Sequence, residues 1–253
     1  MRLKGKVAIV TGGAGGIGEA TIRSLCQEGV KVIISDINWD AAKKLEVSLA
    51  QKGLETLAVQ TDIADYQQVK ELAEKTLSTF GRIDILVNNA GISAKYQGKK
   101  RKLWEISIEE WQRVINVDLN GYFLCCHEIA PHMIPNQWGR IINISSLAAR
   151  TTPQVAASHY VVAKTGILGL TKSLAVELGS YGITVNAVAP GRIDTPMIKD
   201  IPPEDNLELI KRTPLGRLGT VEDIAGVIMF LISEAASFIT GATIDVNGGL
   251  AMH

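Results

Sequence analysis

The feature that most constrains this chain is a glycine-rich stretch, Thr11-Gly12-Gly13-Ala14-Gly15-Gly16-Ile17-Gly18. It follows the apolar, β-branched run Val7–Val10, which predicts a buried parallel strand. It precedes Glu19–Cys26, whose spacing suits a helix. Glycines let the backbone turn tightly and approach a pyrophosphate, and the N-terminus of a following helix offers free N–H groups and the positive end of its dipole. Strand, turn and helix together predict a nucleotide-phosphate site.

The glycines fit two registers. Gly13, Gly15 and Gly18 match G-x-G-x-x-G, whereas Thr11, Gly12, Gly16 and Gly18 match T-G-x-x-x-G-x-G. We prefer the second register, because its first glycine stands where the turn after the strand must begin. Glycines alone are a weak signal, since flexible loops share them, but the flanking strand and helix favour a dinucleotide site.

Short apolar runs alternate with longer amphipathic segments along the whole chain. The predicted strands are Val7–Val10, Val30–Ser35, Thr56–Gln60, Ile83–Val87, Arg140–Ile144, Ile183–Val188 and Thr243–Val246. The predicted helices are Glu19–Cys26, Asp40–Lys52, Asp65–Phe80, Ile108–Ile129, Ser158–Leu178 and Val221–Ile232. This alternation predicts an α/β fold: a doubly wound parallel sheet of about seven strands with helices on both faces, the Rossmann arrangement. No linker or shift in composition divides residues 1–253, so we expect a single domain.

The composition narrows the function classes. Lys+Arg and Asp+Glu are equal at 26 each, so no net field favours nucleic acid or an anionic membrane. The longest apolar runs are too short to span a bilayer, and the N-terminus lacks the apolar core of a signal peptide. The three cysteines have neither the number nor the spacing of a disulfide framework, which fits free thiols in a reducing compartment. We expect a cytoplasmic protein with no nucleic-acid and no membrane partner.

Ligands of such sheets bind beyond the carboxyl ends of the strands, where the winding direction switches. Small or polar residues follow the predicted strands at these ends: Thr11–Gly18, Asp36, Asp62-Ile63, Asn88-Asn89-Ala90-Gly91, Ser145-Ser146 and Pro190-Gly191. Core packing does not require such residues there.

Asp36 ends the second strand, where a carboxylate accepts hydrogen bonds from the adenosine ribose. A 2′-phosphate would meet a like charge, and no Lys or Arg follows in Ile37-Asn38-Trp39. NAD is therefore favoured over NADP as the cofactor. A helix cap is the alternative role for Asp36, although Asn38 and Asp40 are better placed to cap. Asp62 suits an acceptor for the adenine amino group and an Asx-turn residue about equally.

Tyr160 and Lys164 are four residues apart at the start of a predicted helix, so both project from one face. A neighbouring ammonium favours the phenolate form of a tyrosine and turns it into a usable acid/base near neutral pH. Y-x-x-x-K alone is common by chance, and an ordinary surface pair is the alternative.

The other motifs remove that ambiguity. Together with the glycine stretch, Asn88–Gly91, Asn116, Ser145-Ser146 and Pro190-Gly191 resemble the short-chain dehydrogenase/reductase family in order and spacing, and in particular its 3-oxoacyl-[acyl-carrier-protein] reductases. The resemblance runs from Gly5-Lys6-Val7-Ala8 to Asp245-Val246-Asn247-Gly248-Gly249.

The resemblance implies a role for each matching residue. Tyr160 is the acid/base, Lys164 lowers the tyrosine pKa and binds the nicotinamide ribose, and Ser146 hydrogen-bonds the substrate oxygen. Asn116 holds a water in the proton relay to the lysine, and Thr195 contacts the carboxamide. The implied cofactor-binding set is Gly12, Gly16, Ile17, Gly18, Asp36, Asp62, Ile63, Asn88, Ala90, Gly91, Tyr160, Lys164, Pro190, Gly191, Ile193 and Thr195.

The chain departs from the family pattern in two places. Ser146 and Tyr160 are 14 residues apart rather than the usual 13, which leaves Ser145 as an alternative to Ser146. The loop after Gly91 is longer than usual and carries Lys95, Lys99, Lys100, Arg101 and Lys102. A solvated loop explains these cations best; attraction of an anionic substrate is the functional alternative. His127, His132, His159 and His253 lack metal-ligand spacing, so no metal is expected, and His159 suits a structural role.

The sequence thus predicts an NAD(H)-dependent enzyme that interconverts a small-molecule secondary alcohol and a ketone. By analogy with the family we also expect a homotetramer, with protomers paired through the helices Ile108–Ile129 and Ser158–Leu178. Two alternatives stay open. One is an NADPH-dependent 3-oxoacyl thioester reductase, and the other a catalytically silent dinucleotide-sensing regulator. The second usually lacks the tyrosine or the lysine, and both are present here.

Overall fold

A computed structural model describes residues 3–93, 101–151, 156–198 and 202–252. Its strands are β1 (Val7–Thr11), β2 (Lys31–Asp36), β3 (Thr56–Gln60), β4 (Ile85–Asn88), β5 (Gly139–Ile144), β6 (Ile183–Pro190) and β7 (Thr243–Val246). They form one seven-stranded sheet in the order β3-β2-β1-β4-β5-β6-β7, and every neighbouring pair is parallel. The predicted doubly wound sheet is confirmed.

Helices cover both faces of the sheet. They are α1 (Gly16–Gln27), α2 (Trp39–Ala50), α3 (Tyr66–Phe80), α4 (Ile108–Ile115), α5 (Gly121–Met133), α6 (Ser158–Leu178), α7 (Pro203–Arg212) and α8 (Val221–Ile232). Successive strand residues point to opposite faces, which divides the core in two. Ala8 and Val10 of β1 pack with α1, α2 and α8, whereas Ile9 packs with α3, α5 and α6.

The long helix predicted over Ile108–Ile129 is interrupted. After α4 the chain makes a π-helical turn over Asn116–Asn120, and α5 then runs to Met133. The extra residue that a π turn accommodates is a local change of register, and such turns are frequent at functional sites. The side chain of Asp118 lies in this turn and is completely buried.

The helix α7 was not expected from the sequence. Its residues are mostly polar, and its side chains are half-buried or exposed, so no apolar run in the sequence marks it. It begins at a proline, carries Glu204 and Asp205 in its first turn, and ends on Lys211 and Arg212, which complements the helix dipole.

Candidate active site

The sheet reverses its winding direction between β1 and β4, which are neighbours in it. A cavity of about 1180 Å³ lies over the carboxyl ends of the strands at this point. Sixteen of the eighteen residues predicted from the sequence line it: Gly12, Gly16, Ile17, Asp36, Asp62, Ile63, Ala90, Gly91, Asn116, Ser146, Tyr160, Lys164, Pro190, Gly191, Ile193 and Thr195. The exceptions are Gly18 and Asn88.

The glycine turn supports the second register. Gly12 and Gly16 have φ angles of +60° and +53°, in the left-handed region that favours glycine. Gly18 has no room for a side chain, because an added Cβ would lie 2.2 Å from the Gly12 carbonyl oxygen. Gly15, by contrast, is extended, with φ −170°, and open space lies above it. Gly18 therefore supports the turn from beneath and does not face the cavity.

Thr11 joins the glycine turn to the loop after β4. Its hydroxyl accepts hydrogen bonds from the backbone N–H groups of Asn89 and Ala90, at 3.0 and 3.1 Å. The Asn89 side chain donates back to the carbonyls of Thr11 and Gly12. Asn88 points the other way, into the core, where it donates to Asn143 Oδ1 at 2.9 Å. Of the two asparagines of the Asn88–Gly91 motif, Asn89 lines the cavity, whereas the implied cofactor-binding set contains Asn88.

Asp36 lies at the edge of the cavity and also stiffens the turn. One carboxylate oxygen accepts from the Ala14 N–H and the other from the Asn38 N–H, both at 2.9 Å. The cap of α2 is Asn38, which accepts from the Ala41 N–H. Asp62 forms the Asx turn considered above, with the Ala64 N–H at 2.9 Å, and lines the cavity as well. Neither carboxylate forms an ion pair within the part of the chain that the structure describes.

The two serines after β5 differ in their surroundings. The Ser145 hydroxyl is buried and donates to the Lys164 carbonyl at 2.7 Å. The Ser146 hydroxyl is half-buried, faces the cavity and accepts from the Ala148 N–H at 3.1 Å. Ser146 therefore keeps a donor for a ligand oxygen, whereas the donor of Ser145 is already engaged.

Lys164 lies at the bottom of the cavity in a buried polar cluster. Its ammonium is 5.7 Å from the centroid of the Tyr160 ring. It donates to the Ile144 carbonyl at 3.1 Å and to the Tyr122 hydroxyl at 3.3 Å, and it lies 3.3 Å from a carboxylate oxygen of Asp118. An added Cβ on Gly91 would lie 3.2 Å from this ammonium, so the loop after β4 also packs on it.

Burial governs the charge states of this cluster. It raises the pKa of the Asp118 carboxyl, and the adjacent Lys164 ammonium partly offsets that rise. Burial alone would lower the pKa of Lys164, but the negative charge of Asp118 and the hydrogen bond that the ammonium donates to the Tyr122 oxygen hold it above its ordinary value. Burial also raises the pKa of the Tyr122 phenol, which stays neutral and donates to the Ile144 carbonyl at 3.1 Å.

Asn116 and Asp118 occupy different places in the π-helical turn. Asn116 is exposed at the cavity wall, and its side-chain oxygen accepts from Asn120 at 2.9 Å. The residue of this turn that contacts Lys164 is Asp118, which the sequence analysis missed. Its second oxygen accepts from the Ile92 N–H at 2.7 Å. The continuous helix predicted over Ile108–Ile129 lacks the extra residue of the π turn, so it assigns the side chains of Asn116 and Asp118 to the wrong faces of the helix.

His159 has a structural contact beside Tyr160. Its imidazole is completely buried, and Nε2 lies 3.1 Å from Glu110 of α4. The other oxygen of Glu110 accepts from Arg101 at 2.7 Å. Arg101 is thus engaged in an ion pair, while Lys95, Lys99 and Lys100 of the basic loop lie outside the described residues.

The remaining wall comes from the segment after β6. Thr195 packs on the glycine turn, since an added Cβ on Gly16 would lie 3.6 Å from its methyl group. Arg192 lines the cavity and donates to Asn206 of α7 at 2.9 Å. No cluster of three or more potential metal ligands occurs among the residues that the structure describes. In the same ranges, no helix has the length and apolar character to cross a membrane.

Comparison with known proteins agrees with this geometry. A family model described as Enoyl-(Acyl carrier protein) reductase matches residues 12–251. The chain is 40% identical to a (2S)-[(R)-hydroxy(phenyl)methyl]succinyl-CoA dehydrogenase subunit, BbsD, of Thauera aromatica, over 100% of this chain and 99% of the relative. It is also 40% identical to the 3-oxoacyl-[acyl-carrier-protein] reductase FabG of Thermotoga maritima, over 100% of both chains.

A solved structure extends the likeness to three dimensions. It is a 3-oxoacyl-[acyl-carrier protein] reductase from Brucella melitensis with bound NAD, with a TM-score of 0.91 and 39% identity over 100% of this chain and 95% of the other. Fold, motifs and relatives agree along nearly the whole chain. The protein therefore belongs to the short-chain dehydrogenase/reductase family and is an oxidoreductase that acts on CH–OH and keto groups.

Proposed function

We propose that the protein interconverts a small-molecule secondary alcohol and a ketone with NAD(H) as cofactor and Tyr160 as general acid/base. The observation that carries the proposal is that Ser146, Tyr160 and Lys164 line the same cavity as the glycine turn and Asp36. These five features come from three strand ends (β1, β2 and β5) and one helix (α6), and a shared wall is what hydride transfer to a bound carbonyl requires.

The residues present fit a dinucleotide. The glycine turn brings backbone close to the cavity without side chains, and the uncapped N-terminus of α1, which begins at Gly16, belongs to the cavity wall and suits an anionic group. Asp36 would hold the adenosine ribose, while Thr195 and Lys164 would lie along the nicotinamide half. A bound nicotinamide supplies or accepts the hydride.

The protein side of the reaction is proton transfer and orientation. Ser146 donates a hydrogen bond to the substrate oxygen and orients it towards Tyr160. In reduction the Tyr160 hydroxyl gives its proton to the developing alkoxide, and in oxidation the phenolate takes the alcohol proton. The Lys164 ammonium lies 5.7 Å from the centroid of the Tyr160 ring, close enough for its positive charge to act on the proton transfer.

Asp36 supports NAD over NADP. Its carboxylate forms no ion pair in the described ranges, and the neighbouring Ile37 is 64% exposed, so a 2′-phosphate would meet a negative charge without a compensating cation. The rival within the same class is an NADPH-dependent 3-oxoacyl thioester reductase. The likeness to the Thermotoga and Brucella reductases favours its substrate class, whereas the NAD bound to the Brucella enzyme favours NAD as the cofactor.

A homotetramer remains part of the proposal. Phe123 of α5 is 51% exposed, and Val162 and Val176 of α6 are 46% and 84% exposed. Apolar side chains exposed on neighbouring helices suit burial against another protomer.

The test is turnover by the purified protein with NADH and NADPH against ketones and oxoacyl thioesters. We expect NADH to bind at least about tenfold more tightly than NADPH in a fluorescence titration, because NADH lacks the 2′-phosphate that the Asp36 carboxylate would repel. Tyr160→Phe should abolish turnover and leave NADH affinity unchanged. Equal affinities would contradict the Asp36 argument, and a tenth of wild-type turnover in Tyr160→Phe would contradict the acid/base assignment.

A further inference from the structure

Asp118 has two buried contacts that link the catalytic lysine to the loop after β4. One carboxylate oxygen accepts from the Ile92 N–H at 2.7 Å, and the other lies 3.3 Å from the Lys164 ammonium. Both side chains are almost inaccessible, at 0% exposure for Asp118 and 3% for Lys164. An isolated charge at this depth is strongly unfavourable, so each group depends on the other.

The resemblance implies a neutral asparagine near the relay to the lysine. In this chain Asn116 is turned to solvent, and an acid, Asp118, lies against the ammonium. A carboxylate differs from an amide by one full negative charge, which acts on Lys164 and on the neighbouring Tyr160. Its effect on the reaction is therefore electrostatic and measurable by pH.

We propose that Asp118 is a positioning residue for the reaction: its carboxylate is the counter-ion that keeps Lys164 charged and fixed, and it makes the proton held by the Tyr160–Lys164 pair harder to lose. The predicted effect on catalysis rests on the proposed function, in which Tyr160 is the acid/base. The ion pair between Asp118 and Lys164 does not depend on that function.

Among the described residues, three other titratable side chains act on the pair. Tyr122 faces Lys164 from α5 and Tyr160 faces it from α6, while His159 of α6 acts on Asp118 at longer range. Within residues 85–93 and 139–144, β5, β4 and the described start of the loop after β4 contribute backbone groups, the Ile144 carbonyl and the Ile92 N–H. Groups this close titrate as a unit, so removal of one negative charge makes the next proton easier to lose, whichever side chain loses it.

The first test is the pH dependence of kcat/KM for ketone reduction, which needs the protonated form. In Asp118→Asn the alkaline limb should move to lower pH by about one unit or more. Glu222→Gln is the matched control, since Glu222 is an exposed carboxylate on α8 that is not among the residues lining the cavity. Its profile should coincide with that of the wild type. An unmoved limb in Asp118→Asn overturns the proposal.

The second test needs no turnover and so separates a failure of this proposal from a failure of the proposed function. Asp118→Asn should lower the midpoint of thermal unfolding by about 5 °C or more, because it leaves a buried ammonium without its counter-ion. Adding Lys164→Gln should raise the midpoint again, or restore folding if the single variant does not fold. If Lys164→Gln lowers the midpoint further, Asp118 acts only through the Ile92 N–H and the counter-ion proposal is wrong.

Discussion

Ser145 and Ser146 are adjacent in the sequence, yet their hydroxyls serve different partners. Ser145 holds the Lys164 carbonyl from inside the core, and Ser146 faces the cavity with its donor available. One hydroxyl therefore supports the helix that carries the reacting groups, and the other is placed to touch the substrate.

We expect the two serine substitutions to separate stability from catalysis. Ser146→Ala should lower kcat/KM by an amount equal to about 2 kcal/mol or more, as for the loss of one donor to a developing alkoxide. Ser145→Ala should lower the free energy of unfolding by about 1 kcal/mol, because it removes one buried hydrogen bond, from the Ser145 hydroxyl to the Lys164 carbonyl. Steady-state kinetics and urea titration of both variants decide this, and the reverse ranking in kcat/KM would assign the substrate contact to Ser145.

At the scale of elements, β1, the glycine turn and α1 work as one unit. Gly18 is in the first turn of α1, and it allows the helix to approach the Gly12 carbonyl closely. α1 also packs against α8 in the core, so α1 cannot move away from the glycine turn to make room for a side chain at Gly18. The distance between turn and helix is thus fixed from both sides.

Gly18→Ala should therefore damage cofactor binding and stability together. The added methyl group would lie 2.2 Å from the Gly12 oxygen, and overpacking of this kind costs about 1–3 kcal/mol of folding free energy. NADH affinity should fall about tenfold or more. Gly226→Ala is the matched control, because its Cβ on α8 meets nothing within 4 Å. A Gly18→Ala protein that unfolds and binds NADH like the wild type would contradict the close-approach argument.

The sequence was most informative where a local pattern decides the structure. Strands β3 and β7 and helices α6 and α8 have the predicted bounds, and the capping box of Thr220 and Asp223 marks the start of α8. The residues at strand ends, such as Asp36 and Ser146, were found by the same reasoning, since parallel strands bring their carboxyl ends to one edge.

Tertiary packing decided the rest. The residue types of Asn116–Asn120 are compatible with an ordinary α-helix. The π turn is distinguished by tertiary contacts, in which the buried Asp118 carboxylate reaches the Ile92 N–H and the Lys164 ammonium. Of the pair Asn88 and Asn89, one enters the core and one the site, and the direction depends on Asn143 in a strand far along the chain. Neither outcome has a signal in the local sequence.

At the scale of the whole molecule, the carboxyl ends and the amino ends of the parallel strands have different roles. The carboxyl edge carries the cavity, and the opposite edge carries a buried charge cluster around Asp84. This carboxylate is 0% exposed and accepts from the Val7 N–H at 3.0 Å, from Lys6 at 3.2 Å and from Arg82 Nε at 2.7 Å. Because it joins β1 to the start of β4, it stabilises the centre of the sheet from the side away from the chemistry.

Asp84→Ala should consequently destabilise the protein and leave its chemistry intact. The substitution removes the partner of a buried N–H and of two cations. Lys6 and Arg82 are partly exposed and regain water, so we expect a loss of about 2–4 kcal/mol in the free energy of unfolding. Urea titration measures this, with Glu74→Ala as a control that removes a carboxylate from an exposed pair and should change stability by about 0.5 kcal/mol or less. At a temperature where the Asp84→Ala variant stays folded, its kcat and KM should equal those of the wild type. A lowered kcat there would show that the two edges of the sheet are coupled, and that the strands transmit strain from Asp84 to the cavity.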